Sequence, residues 1–182
     1  NYDIKIFNDP NKLRKSIEQK NKKNNHSRLL AGYCWEWPTK TKGRTEFHDI
    51  NIPEKKFSMS WNLNTTTTWL IDENSINEVG CIHTSQGLEL EYAGIIIGPD
   101  LRFKNGKVIT DYTKRAKSDY SLRGIKTLAK KNPKKAKEIS DELIRNTYRT
   151  LMSRGMKGCY IYCVDEELGK YLKKRIKSLN KK

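Results

Sequence analysis

VGCIHTSQGLELEYAGIII, residues 79–97, is the stretch on which the reading of this chain turns. Val79–Ile82 and Ala93–Ile97 are short and almost continuously apolar. Runs of roughly four to eight such residues suit strands buried on both faces, as in a parallel sheet. The residues between them, HTSQGLELEY, are few for a parallel crossover, which usually needs about a dozen. They can still form a loop and one or two helical turns, so the parallel pair is preferred. A strand ending in small hydroxyl residues leaves backbone N–H groups and short donors free, and Gly87 lets a phosphate or ribose approach closely. Glu89, beside it, is suited to position a sugar hydroxyl or an attacking water. Thr84 and Ser85 also suit a helix N-cap, and a cap can itself receive phosphate.

The flanks extend the pattern. Asp9-Pro10 reads as an N-cap followed by Pro at the first helical position, with Leu13 and Ile17 as a thin apolar stripe. Arg28–Cys34 reads as a buried strand running on into Trp35-Glu36-Trp37, and residues 38–55 as an exposed loop. Phe57, Met59 and Trp61 alternate with polar residues and, with Thr67–Ile71, suggest a β-hairpin or edge insertion. Lys104–Lys107 forms a turn between Leu101–Phe103 and Val108–Ile109. A polar, basic connector over 110–131 leads to Asn132-Pro133, which caps a long helix bearing Ala136, Ile139, Leu143, Thr147 and Leu151 on one face. Gly158 opens a strand over Cys159–Val164, and Asp165 caps a last helix carrying Leu168, Leu172 and Ile176. Strands alternating with helices predict one α/β layer domain across residues 1–182, with a mainly parallel sheet.

Only 35% of the 182 residues are hydrophobic, so the core must be compact and the surface highly charged. No apolar run approaches the roughly 18 residues of a membrane span. The net charge of +16 is uneven: +6 over residues 1–60, −6 over 61–100, +11 over 101–137 and +5 over the rest. A basic surface of this kind attracts phosphates through counterion release, which makes nucleic acid the expected partner and solubility alone the alternative. Cys34, Cys81, Cys159 and Cys163 form no CxxC pair, and His26, His48 and His83 add no zinc-like spacing. The cysteines read as reduced core residues of a cytoplasmic protein, with no metal site. The chain starts at Asn1 without a signal sequence, which suggests an excised domain.

Two segments resemble helicase motifs. Gly80–Glu89 (GCIHTSQGLE) is similar to the superfamily 1 motif in which a strand ends in His/Thr/Ser before a Gly-Leu-Glu turn. Asn146–Gly155 (NTYRTLMSRG) resembles the last motif, where a helix ends in Ser/Thr-Arg and the arginine reaches the γ-phosphate across a domain cleft. With LLAGYCWEW, these blocks resemble a poorly characterised prokaryotic family grouped with Schlafen-type DNA/RNA helicases. The resemblance implies the second, C-terminal RecA-like domain of a superfamily 1 helicase: a P-loop NTPase-type three-layer fold with a β-hairpin insertion, acting with an N-terminal ATP-binding domain.

That resemblance also implies roles. Arg154 and Glu89 are catalytic candidates, Arg154 as an arginine finger that stays charged and offers a bidentate fork. Gln86, Gly87, Glu89 and Arg154 are candidates for ATP, and His83, Thr84 and Ser85 for nucleic acid. The sequence has no GxxxxGK[ST] loop and no Asp-Glu Mg²⁺ motif, so ATP and Mg²⁺ would be held mainly by the other domain. The implied function is the C-terminal motor half of an ATP-dependent helicase or translocase, this chain being inactive alone. The alternatives are a non-hydrolysing nucleic-acid-binding module and a switch ATPase acting on proteins. Trp61 and Trp69 rank first among the four tryptophans as exposed base-stacking platforms. Asp100, Asp111 and Asp119 fit no two-metal nuclease spacing.

Overall fold

Residues 2–36, 46–62 and 68–179 are described by the computed structural model of this protein. In chain order the elements are β1 (Asp3–Phe7), α1 (Pro10–Asn21), β2 (Ser27–Ala31), β3 (Ile50–Ile52), β4 (Phe57–Trp61), β5 (Glu78–Gly80), β6 (Leu90–Ile97), β7 (Leu101–Lys104), β8 (Lys107–Thr110), α2 (Ile125–Lys131), α3 (Pro133–Met152), β9 (Gly155–Cys163) and α4 (Glu166–Leu179). Seven strands form one sheet in the order β1-β9-β6-β2-β5-β4-β3. Every neighbouring pair is parallel except β3 and β4 at one edge. β7 and β8 form a separate hairpin whose turn residues Asn105 and Gly106 have φ of 51° and 75°, the left-handed pair a tight two-residue turn requires.

Side chains of the central strands alternate between two cores. Leu29 and Ala31 of β2, Ile96 of β6, and Tyr160 and Tyr162 of β9 pack with Leu13 and Ile17 of α1. Their neighbours Leu30, Ile95, Ile97 and Ile161 pack with Ile144, Tyr148 and Leu151 of α3 and Leu168 of α4. Helices therefore cover both faces, as continuously apolar parallel strands demand. α1 approaches so closely that a Cβ on Gly94 would lie 2.6 Å from Ile17 Cγ1. The caps form as the sequence predicts. Asp9 accepts from the Asn11 amide at 2.8 Å, Asn132 from Lys135 at 3.1 Å and Asp165 from Leu168 at 2.7 Å.

The structure corrects several expectations. β5 and β6 run parallel, as expected, but β2 lies between them, its Leu29-Leu30 registered with Val79-Gly80 on one side and Gly94-Ile95 on the other. β2 stops at Ala31, because the chain turns there and the Cys34 amide bonds back to the Gly32 carbonyl at 2.9 Å. Within the expected loop, Ile50 and Ile52 are buried and pair with β4. The hairpin thus forms upstream of β4, not with the segment after it, of which Thr67 lies outside the described residues. Trp61 and Trp69, 1% and 0% exposed, are core residues and no stacking platform. The buried stripe of α3 is Ala136, Ser140, Ile144, Thr147, Tyr148 and Leu151, while Ile139 is exposed. Ser140 and Tyr148 belong to that stripe, and counting only apolar residues misplaces it. β9 starts at Gly155, three residues earlier than expected.

Cys81, Cys159 and Cys163 are buried free thiols, and burial pushes Cys159 and Cys163 up to about 12. Among the described residues no group of His, Cys, Asp and Glu is placed to hold a metal ion. No helix among them is long and apolar enough to cross a membrane.

Candidate functional site

The segment between β5 and β6 is folded by its own small polar groups. Its backbone makes turns: Ser85 N–H to Cys81 O at 3.1 Å, Gln86 N–H to His83 O at 3.2 Å and Leu88 N–H to Ser85 O at 3.2 Å. The Thr84 hydroxyl accepts from the Cys81 amide at 3.0 Å and donates to Asn62 Oδ1 at 2.5 Å. Ser85 is fully buried, its hydroxyl on the Ile82 carbonyl. Neither residue caps a helix, since none follows, and Ser85 has no surface to offer a nucleic acid. His83, Gln86, Gly87 and Glu89 are exposed. Gly87 has φ +75° and open space where a Cβ would stand.

Sheet register divides the candidate residues between two edges. Gly80 sits level with Ile95 of β6, five residues beyond Leu90, so the segment descends roughly 15 Å along the sheet. His83 starts at the C-terminal edge, where its ring lies 6.2 Å from that of Tyr33. Glu89 ends at the N-terminal edge, beside the last turn of α3. There the Leu90 amide bonds to the Arg154 carbonyl at 2.9 Å, and Leu90 is registered with Gly155. Glu89 and Arg154 thus occupy equivalent positions, each just before a pair of adjacent parallel strands. Arg154 is half-buried and its Nε donates to the Thr150 carbonyl at 3.2 Å. Among the described residues no carboxylate pairs with its guanidinium. Arg145, on α3, is committed to Asp141 at 2.7 Å and the Val108 carbonyl at 2.7 Å.

A buried polar network underlies the C-terminal edge. Asp100 is 0% exposed; it accepts from the Tyr148 hydroxyl at 2.5 Å and from Arg115 Nη1 at 3.1 Å. Arg115 also meets Asp119 through Nε at 2.7 Å and Nη2 at 2.6 Å. Burial alone would lower the Arg115 pKa, but Asp119 and Asp100 outweigh it and hold the guanidinium charged. Burial, then the neighbouring Cys34 and Asp100, raises the Tyr148 hydroxyl well above its usual value. The Gly98 amide donates to the same Tyr148 hydroxyl at 2.9 Å. The network joins the end of β6 and the connector to α3, which stops at Met152, two residues before Arg154, so that Arg154 stands in the short turn between α3 and β9.

Residues 1–165 match the Schlafen group 3 DNA/RNA helicase domain. The chain belongs to that family. This Schlafen group 3 domain is also 29% identical over 171 residues to an uncharacterized protein of Saccharomyces cerevisiae, an alignment covering 92% of this chain and 36% of that protein. The resemblance therefore reaches beyond prokaryotes, and the chain spans about a third of the relative's length. No solved structure matches it. Membership points to a helicase-like function, and both motif segments lie within the matched residues.

Sequence reasoning weighed Asp100 and Asp119 only as nuclease carboxylates, and it gave Arg115 and Tyr148 no role. Asp100 and Tyr148 are 48 positions apart and no motif links them. Only the i,i+4 spacing of Arg115 and Asp119 was a local signal.

Proposed function

We propose that this Schlafen group 3 domain is the second RecA-like domain of an ATP-driven superfamily 1 nucleic-acid motor. The observation that carries the reading is the placement of Glu89 and Arg154 side by side at one sheet edge, next to the open Gly87, with no carboxylate on Arg154 among the described residues. A half-buried guanidinium without an anionic partner is suited to receive one, and the planar fork fits phosphate oxygens. The sequence has no phosphate loop, so ATP and Mg²⁺ would be gripped by a preceding domain of the full protein, and this domain would complete the cleft.

ATP supplies the anhydride whose cleavage drives the motor. This chain's part is positional and electrostatic. Arg154 offsets charge that builds on the transferring phosphoryl group. The Gln86-Gly87 main chain lets nucleotide approach, and Glu89 orients a ribose hydroxyl or the attacking water. His83, exposed at the opposite edge, is the motif residue left to meet nucleic acid, while Thr84 and Ser85 hold the turn between the edges. Thr84 anchors it to Asn62, at the end of β4. Closure and release would then couple the two edges.

The test is Arg154→Ala in the full-length protein. ATP turnover should fall on the order of 10³–10⁵-fold, while stability changes by only about 1 kcal/mol, the weight of its one hydrogen bond to the Thr150 carbonyl. Arg154→Lys should rescue poorly because an ammonium lacks the fork. Parental turnover in Arg154→Ala, or loss of the fold, would assign the residue a structural role.

A further inference from the structure

The stretch from β7 through the connector to the first turn of α3 is strongly basic, and neither motif uses it. Residues 101–137 hold thirteen Lys and Arg against two acids. Both acids are already engaged, Asp111 by Arg102 at 2.8 Å and Asp119 by Arg115 at 2.6 Å. Lys117, Arg123 and Lys126 are exposed and their side-chain cations form no ion pair among the described residues, while the Lys117 amide donates to the Glu36 carboxylate at 2.7 Å. Beside them Tyr120 is 81% exposed, the most exposed aromatic ring among the described residues. A surface cavity of about 380 Å³ lies between these groups, lined by Tyr112, Lys117, Tyr120, Leu122, Arg123 and Lys126.

Tyr120 stands on a fixed base. Asp119 Oδ1 accepts from the Ser121 amide at 3.0 Å and its hydroxyl at 2.6 Å, closing the single 3₁₀ turn Tyr120–Leu122. The other Asp119 oxygen is held by the buried Arg115. The turn fixes the backbone beneath the ring, and a tyrosine has only two side-chain torsions to order on stacking. The connector is also tied to the His83 edge. The Ala116 amide bonds to the Tyr33 carbonyl at 2.8 Å, and the Tyr33 ring neighbours His83.

We propose that this cavity seats one nucleotide of a single-stranded nucleic acid, its base on Tyr120 and its flanking phosphates held by Lys117, Arg123 and Lys126. A cationic groove with an exposed aromatic ring suits single strands, because a duplex keeps its base faces in the stack. The assignment rests on the motor reading and gives it a path for the strand, from His83 past Tyr33 to Tyr120.

The test is fluorescence anisotropy of the full-length protein with a fluorescein-labelled oligothymidylate and, separately, a blunt duplex. Tyr120→Ala should weaken single-strand binding roughly tenfold or more. Tyr120→Phe should bind like the parent, and duplex affinity should change little. Replacing Lys117, Arg123 and Lys126 together by Gln should flatten the slope of log K against log salt by about 2. Unchanged single-strand affinity in Tyr120→Ala, or equal losses for strand and duplex, overturns the proposal. So does displacement of the oligonucleotide by polyglutamate at equal charge, which would assign the surface to an acidic protein segment. Arg154→Ala separates the two readings: it should bind strand normally without turning over ATP. If Tyr120→Ala is silent while Arg154→Ala abolishes turnover, the stacking site alone falls. If Arg154→Ala turns over normally while Tyr120→Ala loses the strand, the role given to Arg154 falls and the stacking site stands.

Discussion

Replacing Arg115 by Met should unfold this domain more readily than any surface change. The side chain is 4% exposed and bridges Asp100 and Asp119, whose side chains are 0% and 4% exposed. Met fills similar volume but leaves two carboxylates buried without their cation. Breaking a buried pair in this way costs about 3–5 kcal/mol. The carboxylates keep some compensation, Asp100 from the Tyr148 hydroxyl and Asp119 from Ser121, so the loss should stay within that range. For a chain of this size each kcal/mol is worth about 2–4 °C, so the melting temperature should fall by roughly 6–20 °C. Tyr148→Phe removes one donor to Asp100 and the acceptor of the Gly98 amide, and should cost about 1–3 kcal/mol. Lys170→Ala removes an exposed, solvent-screened pair with Glu167 and should leave the urea midpoint essentially unchanged. Urea unfolding followed by circular dichroism, at unchanged m-value, measures all three. An Arg115→Met loss under about 1 kcal/mol, or a ranking with Lys170→Ala first, would refute the claim that the network supports the connector.

Gly94→Ala should destabilise by about 1–3 kcal/mol through overpacking, since its Cβ would meet Ile17 and Leu29 side chains at 2.6 Å; thermal denaturation checks this, and an unchanged midpoint argues against the close α1 contact. Cys159 and Cys163 should resist a thiol reagent in the native protein at pH 8 and react once urea unfolds it, because burial holds both near 12. Since their folded pKa lies above the ordinary thiol value of 9.0, the folded state retains protons that the unfolded chain gives up. Their contribution is therefore complete below about pH 9 and is lost as pH rises toward 12, which urea midpoints between pH 7 and 10.5 would register as a decline at the alkaline end.

Local chemistry was enough for much of this fold. Asp9-Pro10, Asn132-Pro133 and Asp165 announce helix starts because an Ncap side chain bonds amides two or three residues away. The apolar runs 79–82 and 93–97 announce buried strands because side-chain period and burial are properties of a short segment. The two motif segments and their order were legible for the same reason, and they led to the family. Pairing across distance was not legible. That β2 separates β5 from β6, and that Ile50 and Ile52 rather than the segment after Trp61 form the hairpin, depend on which strands compete for the same hydrogen-bond edges. Charge was misread by position: Arg28 and Arg115 count toward a basic surface, yet both are buried. Side-chain reach, too, is set only in three dimensions. Ser85 lies between residues at the surface, but the turn that moves the chain from one sheet edge to the other needs its hydroxyl inside. Sequence placed Glu89 and Arg154 in separate motifs some sixty residues apart; only the parallel register of β6 and β9, with Leu90 against Gly155, sets them side by side.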